Sequence, residues 1–238
     1  MENISVDGLR GFLNRYKKFT GDRAQIRFDE FTYRFGHIRT ALNSLNQLTE
    51  ELNKREAESF NLFRLLGIEF KEVETHSAFL ADLLDPKGTH CQGGLFLNRF
   101  LKLFIGKQGD KTFKLPPEDS TWFIEKEKCI YSGRMDIVLT SPDSGFLIVI
   151  ENKVYSLDSE TQLDRYSEWL DKQRKFYSNR LLIYLTPGGD NPTKFEGDII
   201  TLSYREDISK WLEDSLGEIK SIKIVESVKQ YIEIIANL

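Results

Sequence analysis

Three charged residues, Asp136, Glu151 and Lys153, interrupt two apolar stretches near the middle of the chain. The stretches "MDIVLT" and "FLIVIENKVY" are rich in Val, Ile, Leu, Phe and Tyr, and the "SPDSG" between them has the residue types of a turn. This pattern predicts a β-hairpin. Because side chains alternate along a strand, we expect Glu151 and Lys153 on one face and Asn152 on the other.

The position of Asp136 depends on the register of the hairpin, because a slip of one residue moves a strand's side chains to the opposite face. If Asp136 lies opposite or diagonal to Glu151, two carboxylates and the ammonium of Lys153 form a compact cluster. Proteins usually hold Mg²⁺ with one or two carboxylates, waters and substrate phosphates. In that register the lysine would lie beside a metal-bound water.

The ordinary interpretation of a Glu-x-Lys sequence is a salt bridge on a solvated face. Here the preceding "FLIVI" is a continuous apolar run, which predicts a strand buried on both faces. Charges at the end of such a strand are costly unless they are paired or bound to a metal ion. This context favours a functional site over a surface salt bridge.

Composition and charge limit the class of protein. The chain has 238 residues with 40% hydrophobic content, enough for one core with a small helical appendage. A net charge of −4 argues against coating nucleic acid by bulk electrostatics, although a local basic groove remains open. The cysteines and histidines show neither a disulfide framework nor zinc-like spacing: Cys91, Cys129, His37, His76 and His90.

The expected location is the cytoplasm, in a reduced environment. No apolar run approaches the roughly 18 residues that a membrane span requires, and "MENISVDGLRGF" lacks the core of a signal peptide. We therefore expect no membrane partner.

The N-terminal region, residues 1–58, predicts a helical extension ahead of a main domain over residues 59–238. A short helix, "LRGFLNRYKKF", precedes a long amphipathic helix from Ala24 to Glu58. The basic residues of the short helix fit a solvated face better than phosphate contacts. The apolar residues of the long helix predict packing or a partner surface: Ile38, Leu42, Leu45, Leu48 and Leu52.

A helix is also predicted over "KEVETHSAFLADLLDP", and Pro86 helps to end it. Glu72 and His76 are four residues apart and share a face, whereas Glu74 is rotated away from them. We expect Glu72, not Glu74, to face the hairpin charges. Taken alone, Glu72 is explained by the helix dipole, and His76 by a satisfied buried position.

The remaining elements alternate between helix and strand. The predicted segments are the helix "LFLNRFLKLFIG", the strand "TWFIEKEKCI", the hairpin, the helix "SETQLDRYSEWLDKQ", the strands "RLLIYLT" and "DIITLSY", and the helices "REDISKWLEDSL" and "ESVKQYIEIIANL". Gln162 and Tyr166 lie one turn apart on one face of their helix. This order predicts an α/β fold with a mixed β-sheet flanked by helices.

These residues together resemble the PD-(D/E)XK nuclease superfamily, which has a restriction-endonuclease-like fold. The superfamily has an acidic residue on a first helix, which Glu72 matches, and an Asp on the second core strand, which Asp136 matches. Its third core strand carries Glu-x-Lys, which "ENK" matches. "QLDRY" resembles a Q-x-x-x-Y helix motif. Over roughly residues 60 to 235, "EVETHSAFLADLLDPKGTH", "GRMDIVL", "IVIENKVYSLDSETQLDRY" and "SVKQYI" are similar to a bacterial PD-(D/E)XK-like family of uncharacterised function.

The resemblance implies roles for the hairpin residues. Asp136 and Glu151 would hold one or two Mg²⁺, or alternatively Mn²⁺, with help from the Asn152 carbonyl. Lys153 would orient or deprotonate the attacking water and offset charge in the transition state.

The resemblance also implies roles for residues on two helices. Glu72 would bind a second metal or hold a metal-bound water, and Gln162 would support Lys153 or the water. Tyr166 would contact the phosphate or orient Gln162, although a Tyr at that spacing is more often part of the packing.

The implied activity is metal-dependent hydrolysis of DNA in bacterial defence, repair or mobile-element biology, with RNA as an open alternative. The competing interpretation is a non-catalytic nucleic-acid-binding or protein-assembly module. In either case the N-terminal helices could join copies of the chain or bind a protein partner.

Two features depart from the similar sequences. Cys91 in "PKGTHCQGG" stands where they have glycine, which is expected to reduce the backbone freedom of that loop. Many relatives are also longer at the C-terminus, so a substrate-selecting domain is expected to be missing or supplied by another protein.

Overall fold

The computed structural model describes residues 6–57, 59–104, 114–131, 133–155 and 161–238. The chain divides into two compact units, Met1–Phe60 and Asn61–Leu238. Three predicted helix ends, at Glu58, residues 105–106 and residues 159–160, lie outside the described residues.

The first unit contains a single α-helix of 51 residues, α1 (Val6–Glu56). The prediction of two separate helices was therefore wrong. Gly21 weakens a helix by roughly 1 kcal/mol but keeps its backbone hydrogen bonds, and residues 6–56 contain no proline that would interrupt them. Among the helices described here, none has both the length and the apolar character of a membrane span.

The second unit contains a five-stranded sheet and six short α-helices within the described residues. In chain order its elements are α2 (Leu62–Leu65), a π-helical turn (Glu72–Ser77), α3 (Ala78–Leu84), α4 (Leu95–Lys102), β1 (Phe123–Ile130), β2 (Gly133–Ser141), β3 (Phe146–Asn152), α5 (Gln162–Lys172), β4 (Asn179–Thr186), β5 (Ile200–Ser203), a second π-helical turn (Tyr204–Ile208), α6 (Ser209–Leu216) and α7 (Ile222–Ile235).

The sheet is mixed, with the strands in the order β1-β2-β3-β4-β5. The first three strands are antiparallel, and β3, β4 and β5 are parallel. Every residue of the central strand β3 is buried, as its continuous apolar run predicts. The predicted α/β fold, a mixed sheet flanked by helices, is confirmed.

Two hydrophobic cores cover the two faces of the sheet. Ile148 and Ile150 of β3 pack on one face with residues of α3, α4, α6 and α7. Leu147 and Val149 pack on the other face with residues of α5. Because side chains alternate along β3, this division directs Glu151 and Lys153 towards α5 and Asn152 towards the larger helical layer.

The loop between α3 and α4 has a left-handed backbone conformation, which favours glycine, at Cys91 as well as at Gly93. Cys91 has a φ of 55° and Gly93 a φ of 60°. A side chain with a Cβ atom costs roughly 1–2 kcal/mol in this left-handed region. Cys91 therefore carries conformational strain that a glycine would not.

We expect Cys91→Gly to raise the free energy of unfolding by about 1 kcal/mol, because glycine adopts positive φ without strain. Cys91→Ala is the matched control, since it removes the sulfur but retains the Cβ, and it should not stabilise. Urea denaturation of both variants would check this. Equal free energies of unfolding for the two variants would contradict the strain assignment.

Candidate active site

The hairpin of β2 and β3 brings Asp136 and Glu151 to neighbouring positions at one end of the sheet. Ile137 pairs with Ile150, and Val138 pairs with Val149. Continuing this register by one residue places Asp136 opposite Glu151. Lys153 follows β3 directly, and its Nζ lies 2.8 Å from Glu151 Oε1. We call these three residues, Asp136, Glu151 and Lys153, the hairpin cluster.

Glu151 is almost completely removed from solvent, with 1% of its surface exposed. The Lys153 ammonium lies 2.8 Å from Oε1, whereas Oε2 has no hydrogen-bond donor among the described residues. Burial raises the pKa of Glu151 from an ordinary value of 4.5 to about 8, and repulsion from Asp136 adds to this effect. The site therefore disfavours the ionised carboxylate unless more positive charge is supplied.

Asp136 is partly buried, and its Oδ2 accepts a hydrogen bond of 2.7 Å from the backbone N–H of Asn152. Burial raises its pKa from 3.8 to about 6, against the opposing effects of the Asn152 N–H and Lys153. The hydrogen bond anchors the Asp136 side chain to the end of β3. Two carboxyl groups with raised pKa values thus lie side by side.

Lys153 is positioned by both its backbone and its side chain. Its N–H donates a 2.8 Å hydrogen bond to the Leu185 carbonyl, which extends the parallel pairing of β3 and β4. Its Nζ also donates to Gln162 Oε1 over 3.3 Å. Burial opposes the charged form of Lys153, but the neighbouring carboxylates, with Glu151 first, outweigh it and raise the pKa.

Gln162 and Tyr166, one turn apart on α5, form a hydrogen-bonded support behind Lys153. Gln162 Nε2 donates to the Tyr166 hydroxyl over 2.8 Å, and that hydroxyl donates in turn to the Arg134 carbonyl on β2. Tyr166 is only 1% exposed. Its burial favours the orientation of Gln162 over direct contact with a substrate phosphate.

Glu72, at the start of the π-helical turn, contacts the backbone that directly follows the hairpin cluster. Its Oε2 accepts hydrogen bonds from the N–H groups of Val154 and Tyr155, at 2.7 and 3.3 Å. Its negative charge contributes to the raised pKa values of Asp136 and Glu151. Glu74, by contrast, lines a separate cavity.

The side chain of Asn152 ties the end of β3 to the π-helical turn on the opposite face of the sheet. Its Nδ2 donates to Ser77 Oγ over 3.0 Å and to the Glu72 carbonyl over 3.4 Å, while its Oδ1 accepts from the Tyr204 hydroxyl over 2.9 Å. Asn152 is fully buried. Sequence reasoning considered only its carbonyl and missed Ser77 and Tyr204, because these partners are far apart in the chain.

Sequence reasoning also missed a further carboxylate, that of Glu127 on β1. The pairs Lys126–Ile137 and Lys128–Met135 place Glu127 opposite Asp136, and its charge helps to raise the pKa of Asp136. Glu127 forms a 3.3 Å ion pair with Arg134 Nε. The charged run "EKEK" contained this residue, but only the β1–β2 register identifies it as a neighbour of the site.

His76 is a buried, hydrogen-bonded histidine, which is the ordinary interpretation of its sequence position. It is 0% exposed, and its two ring nitrogens lie 3.0 Å from the Tyr231 hydroxyl and 2.9 Å from the Glu69 carbonyl. Burial lowers its pKa. Both cysteines are free thiols, and neither lies in the hairpin cluster.

A divalent cation fits the chemistry of the hairpin cluster. In the described parts of the chain, no three His, Cys, Asp or Glu side chains are placed so that they could hold a metal ion together. Protein ligands would therefore be the carboxylates of Asp136 and Glu151, completed by backbone oxygen, water or substrate, as is usual for Mg²⁺. The buried Glu151 Oε2, which has no hydrogen-bond donor among the described residues, is the observation that supports this fit.

The raised pKa values predict that the metal-free protein loses stability as the pH rises. Asp136 and Glu151 bind protons more tightly when the chain is folded. Their contribution to the free energy of unfolding is therefore complete below about pH 4. It is lost as the pH rises through the pKa of Asp136, about 6, and that of Glu151, about 8. In the Glu151→Gln variant, the decrease in the free energy of unfolding with rising pH should be smaller by at least ~1 kcal/mol. Glu213→Gln on the exposed face of α6 is the control.

Denaturation in chelator at pH 5 and pH 8.5 would measure this difference. Adding Mg²⁺ or Mn²⁺ at pH 8 should raise the Tm of the parent protein, because the cation binds only the folded site. Equal pH dependence in the parent and Glu151→Gln proteins would contradict the assigned pKa shifts.

A comparison with known protein families identifies the segment of the chain that contains these residues. A family model described as the PD-(D/E)XK nuclease superfamily matches residues 60–235, about three quarters of the chain. No curated protein and no solved structure gives a significant match. The matched segment includes the hairpin cluster together with Glu72 and the support on α5. The chain therefore belongs to the PD-(D/E)XK nuclease superfamily.

Proposed function

We propose that this protein is a Mg²⁺-dependent nuclease that hydrolyses phosphodiester bonds of DNA, with Mn²⁺ as an alternative cofactor. The single observation that carries the proposal is the carboxylate of Glu151. It is buried beside Asp136, a lysine ammonium lies 2.8 Å from its Oε1, and its Oε2 has no hydrogen-bond donor among the described residues. Family membership supplies the reaction class.

Asp136 and Glu151 are the proposed metal ligands, and the carbonyl of Asn152 is the proposed third protein ligand. When bound, the cation would polarise the scissile phosphate and lower the pKa of a coordinated water. The hydrogen bond from the Asn152 N–H holds the Asp136 side chain next to Glu151. The hairpin backbone thus fixes one of the proposed ligands, Asp136, before any substrate binds.

Lys153 is proposed to act as a positive charge that holds the attacking water and stabilises the transition state. The nearby carboxylates raise its pKa above the ordinary value of 10.5, so it is an ammonium at neutral pH. An ammonium cannot accept a proton, which favours the orienting role over that of a general base. Charge placed in advance at a developing anion is a large contribution to catalysis.

The remaining residues are proposed to position the site. Gln162 fixes the Lys153 ammonium through its Oε1, and Tyr166 fixes Gln162 through its hydroxyl. Glu72 holds the backbone that follows Lys153 and adds negative charge on the helix side, where it could support a second metal or a bound water. We assign Glu72 primarily to positioning, because its Oε2 already accepts two hydrogen bonds.

The proposed setting is the cytoplasm of a bacterium, in defence, repair or mobile-element biology. This assignment follows from the resemblance of several sequence blocks to a bacterial PD-(D/E)XK-like family. DNA is the proposed substrate and RNA the alternative, since both carry the phosphodiester that the site would cleave.

A substrate panel tests the proposed activity. Purified protein with Mg²⁺ or Mn²⁺ would be incubated with linear duplex DNA, circular duplex DNA, single-stranded DNA and RNA. We expect cleavage of DNA that chelator and Asp136→Ala abolish, while Asp214→Ala, an exposed aspartate on α6, leaves it unchanged. Cleavage confined to RNA would correct the substrate. Nucleic-acid binding without cleavage of any substrate would favour the non-catalytic alternative.

Lys153→Met should separate metal binding from chemistry. Methionine retains most of the apolar stem but removes the ammonium, so metal affinity should survive or tighten because a competing positive charge is gone. Cleavage should fall by roughly two to four orders of magnitude. Calorimetric titration of Mn²⁺ and single-turnover cleavage would measure the two effects, with Lys210→Met on α6 as the control. Near-parental cleavage by Lys153→Met would make the lysine a structural ion-pair partner.

Glu151→Gln should instead weaken metal binding and cleavage together, because it removes the charge of a proposed ligand. The same titration and cleavage assays apply, with Glu213→Gln as the matched control. Metal affinity equal to that of the parent protein would remove Glu151 from the ligand set.

A further inference from the structure

Helix α1 carries a continuous series of apolar side chains that are exposed to solvent. The larger members of this series between residues 24 and 52 are each more than half exposed: Phe28, Phe31, Phe35, Ile38, Leu42, Leu45 and Leu52. An isolated helix with such a stripe is expected to gain most of its stability by burying it. The stripe therefore predicts a partner.

The spacing of the stripe identifies the kind of partner. Its members, all apolar except Thr49, follow one another at alternating intervals of four and three residues over four heptads: Ala24, Phe28, Phe31, Phe35, Ile38, Leu42, Leu45, Thr49 and Leu52. We call these nine positions the seam. A sustained repeat of this type keeps one face against a second helix in a left-handed coiled coil. The seam is therefore shaped for a long helix of the same periodicity.

The distribution of residue sizes along the seam favours an antiparallel pair of identical helices. In an antiparallel coiled coil centred between Gly36 and His37, layers join positions whose numbers sum to 73. The three phenylalanines then face aliphatic residues of the second copy: Phe28 with Leu45, Phe31 with Leu42, and Phe35 with Ile38. A parallel pair would instead stack each phenylalanine on itself at one end, which distributes volume unevenly.

The charges beside the seam favour the same orientation. A parallel in-register pair places Arg34 of one helix beside Arg39 of the other, and like charges at these flanking positions are unfavourable. In the antiparallel pair, Arg34 and Arg39 of the two copies lie at one level but on opposite edges of the interface. Arg34 is instead near Ala41 of the other copy, and Arg39 is near Thr32. The antiparallel pair also places the aliphatic stem of Arg27 near Leu48, an apolar residue just outside the seam.

The area of the seam is sufficient for a stable dimer. If pairing removes roughly 100 Å² of surface from each of about seven large side chains on both copies, the interface buries on the order of 1,400 Å². This lies within the range of specific protein interfaces.

We propose that α1 pairs with α1 of a second copy of this chain, as an antiparallel coiled coil through the seam. The proposal concerns self-association and is independent of the proposed nuclease activity. It can be tested without a substrate.

The first experiment uses charge variants of the full chain in sedimentation equilibrium. The parent protein should be a dimer, and Phe31→Glu or Leu42→Lys alone should weaken association by about a hundredfold or more, since each buries an unpaired charge. The double variant should associate at least about tenfold more tightly than either single variant. Antiparallel pairing places the carboxylate at position 31 of one copy against the ammonium at position 42 of the other. Tyr33→Glu, on the opposite face of α1, is the matched aromatic control and should remain dimeric.

The second experiment determines orientation by disulfide formation. Ala24→Cys and Thr49→Cys would be combined in one chain, with Cys91→Ser and Cys129→Ser to remove the native thiols. These two positions are roughly 37 Å apart along one helix, so a disulfide between residues 24 and 49 must join two copies. Peptide mapping after oxidation should find this link.

Three results would overturn the proposal. They are a monomeric parent protein at micromolar concentration, a dimer unaffected by Phe31→Glu and Leu42→Lys, and disulfides that join residue 24 to 24 or residue 49 to 49. The last result would show parallel pairing.

Discussion

The site depends on one energetic constraint, the burial of the Glu151 carboxylate at the end of the central strand. A buried carboxylate is costly when ionised if one of its oxygens lacks a hydrogen-bond donor. The described chain supplies one compensating charge, the ammonium of Lys153, and places a second carboxylate, Asp136, where it repels the first. A divalent cation would relieve both the burial and the repulsion. The same features that make the cluster unfavourable by itself thus make it suited to a metal ion.

The fold maintains this arrangement from three directions. The hairpin register places Asp136 opposite Glu151, and the parallel pairing of β3 with β4 continues through Lys153, which fixes its backbone. Helix α5 supports the lysine from one face of the sheet through Gln162. On the other face, Asn152 connects β3 to the π-helical turn that carries Glu72. Alternation along a single strand therefore directs Glu151 and Lys153 towards α5 and Asn152 towards the opposite layer.

Much of this could be predicted from sequence because the determining patterns are local. The apolar runs and turn residues of the hairpin define its strands, and the spacing of Glu151 and Lys153 defines their common face. The prediction of two separate N-terminal helices was wrong. Gly21, which lies between the two predicted helices, lowers helix stability without ending the helix. Glu127, Ser77 and Tyr204 could not be predicted, since their proximity to the site depends on strand register and on contacts between distant segments. The sequence indicated an unusual backbone requirement at Cys91, but its left-handed conformation could be seen only in the structure.

The most direct test of the account is the location of bound metal in crystals grown with Mn²⁺. We expect an anomalous-scattering peak roughly 2.0–2.3 Å from carboxylate oxygens of Asp136 and Glu151. We also expect the Lys153 ammonium to be displaced from the Glu151 oxygen that becomes a ligand. The contrary result is a crystal saturated with Mn²⁺ in which the cluster holds no metal and the ion pair between Glu151 and Lys153 is unchanged. That result would make the hairpin cluster a structural feature of the fold.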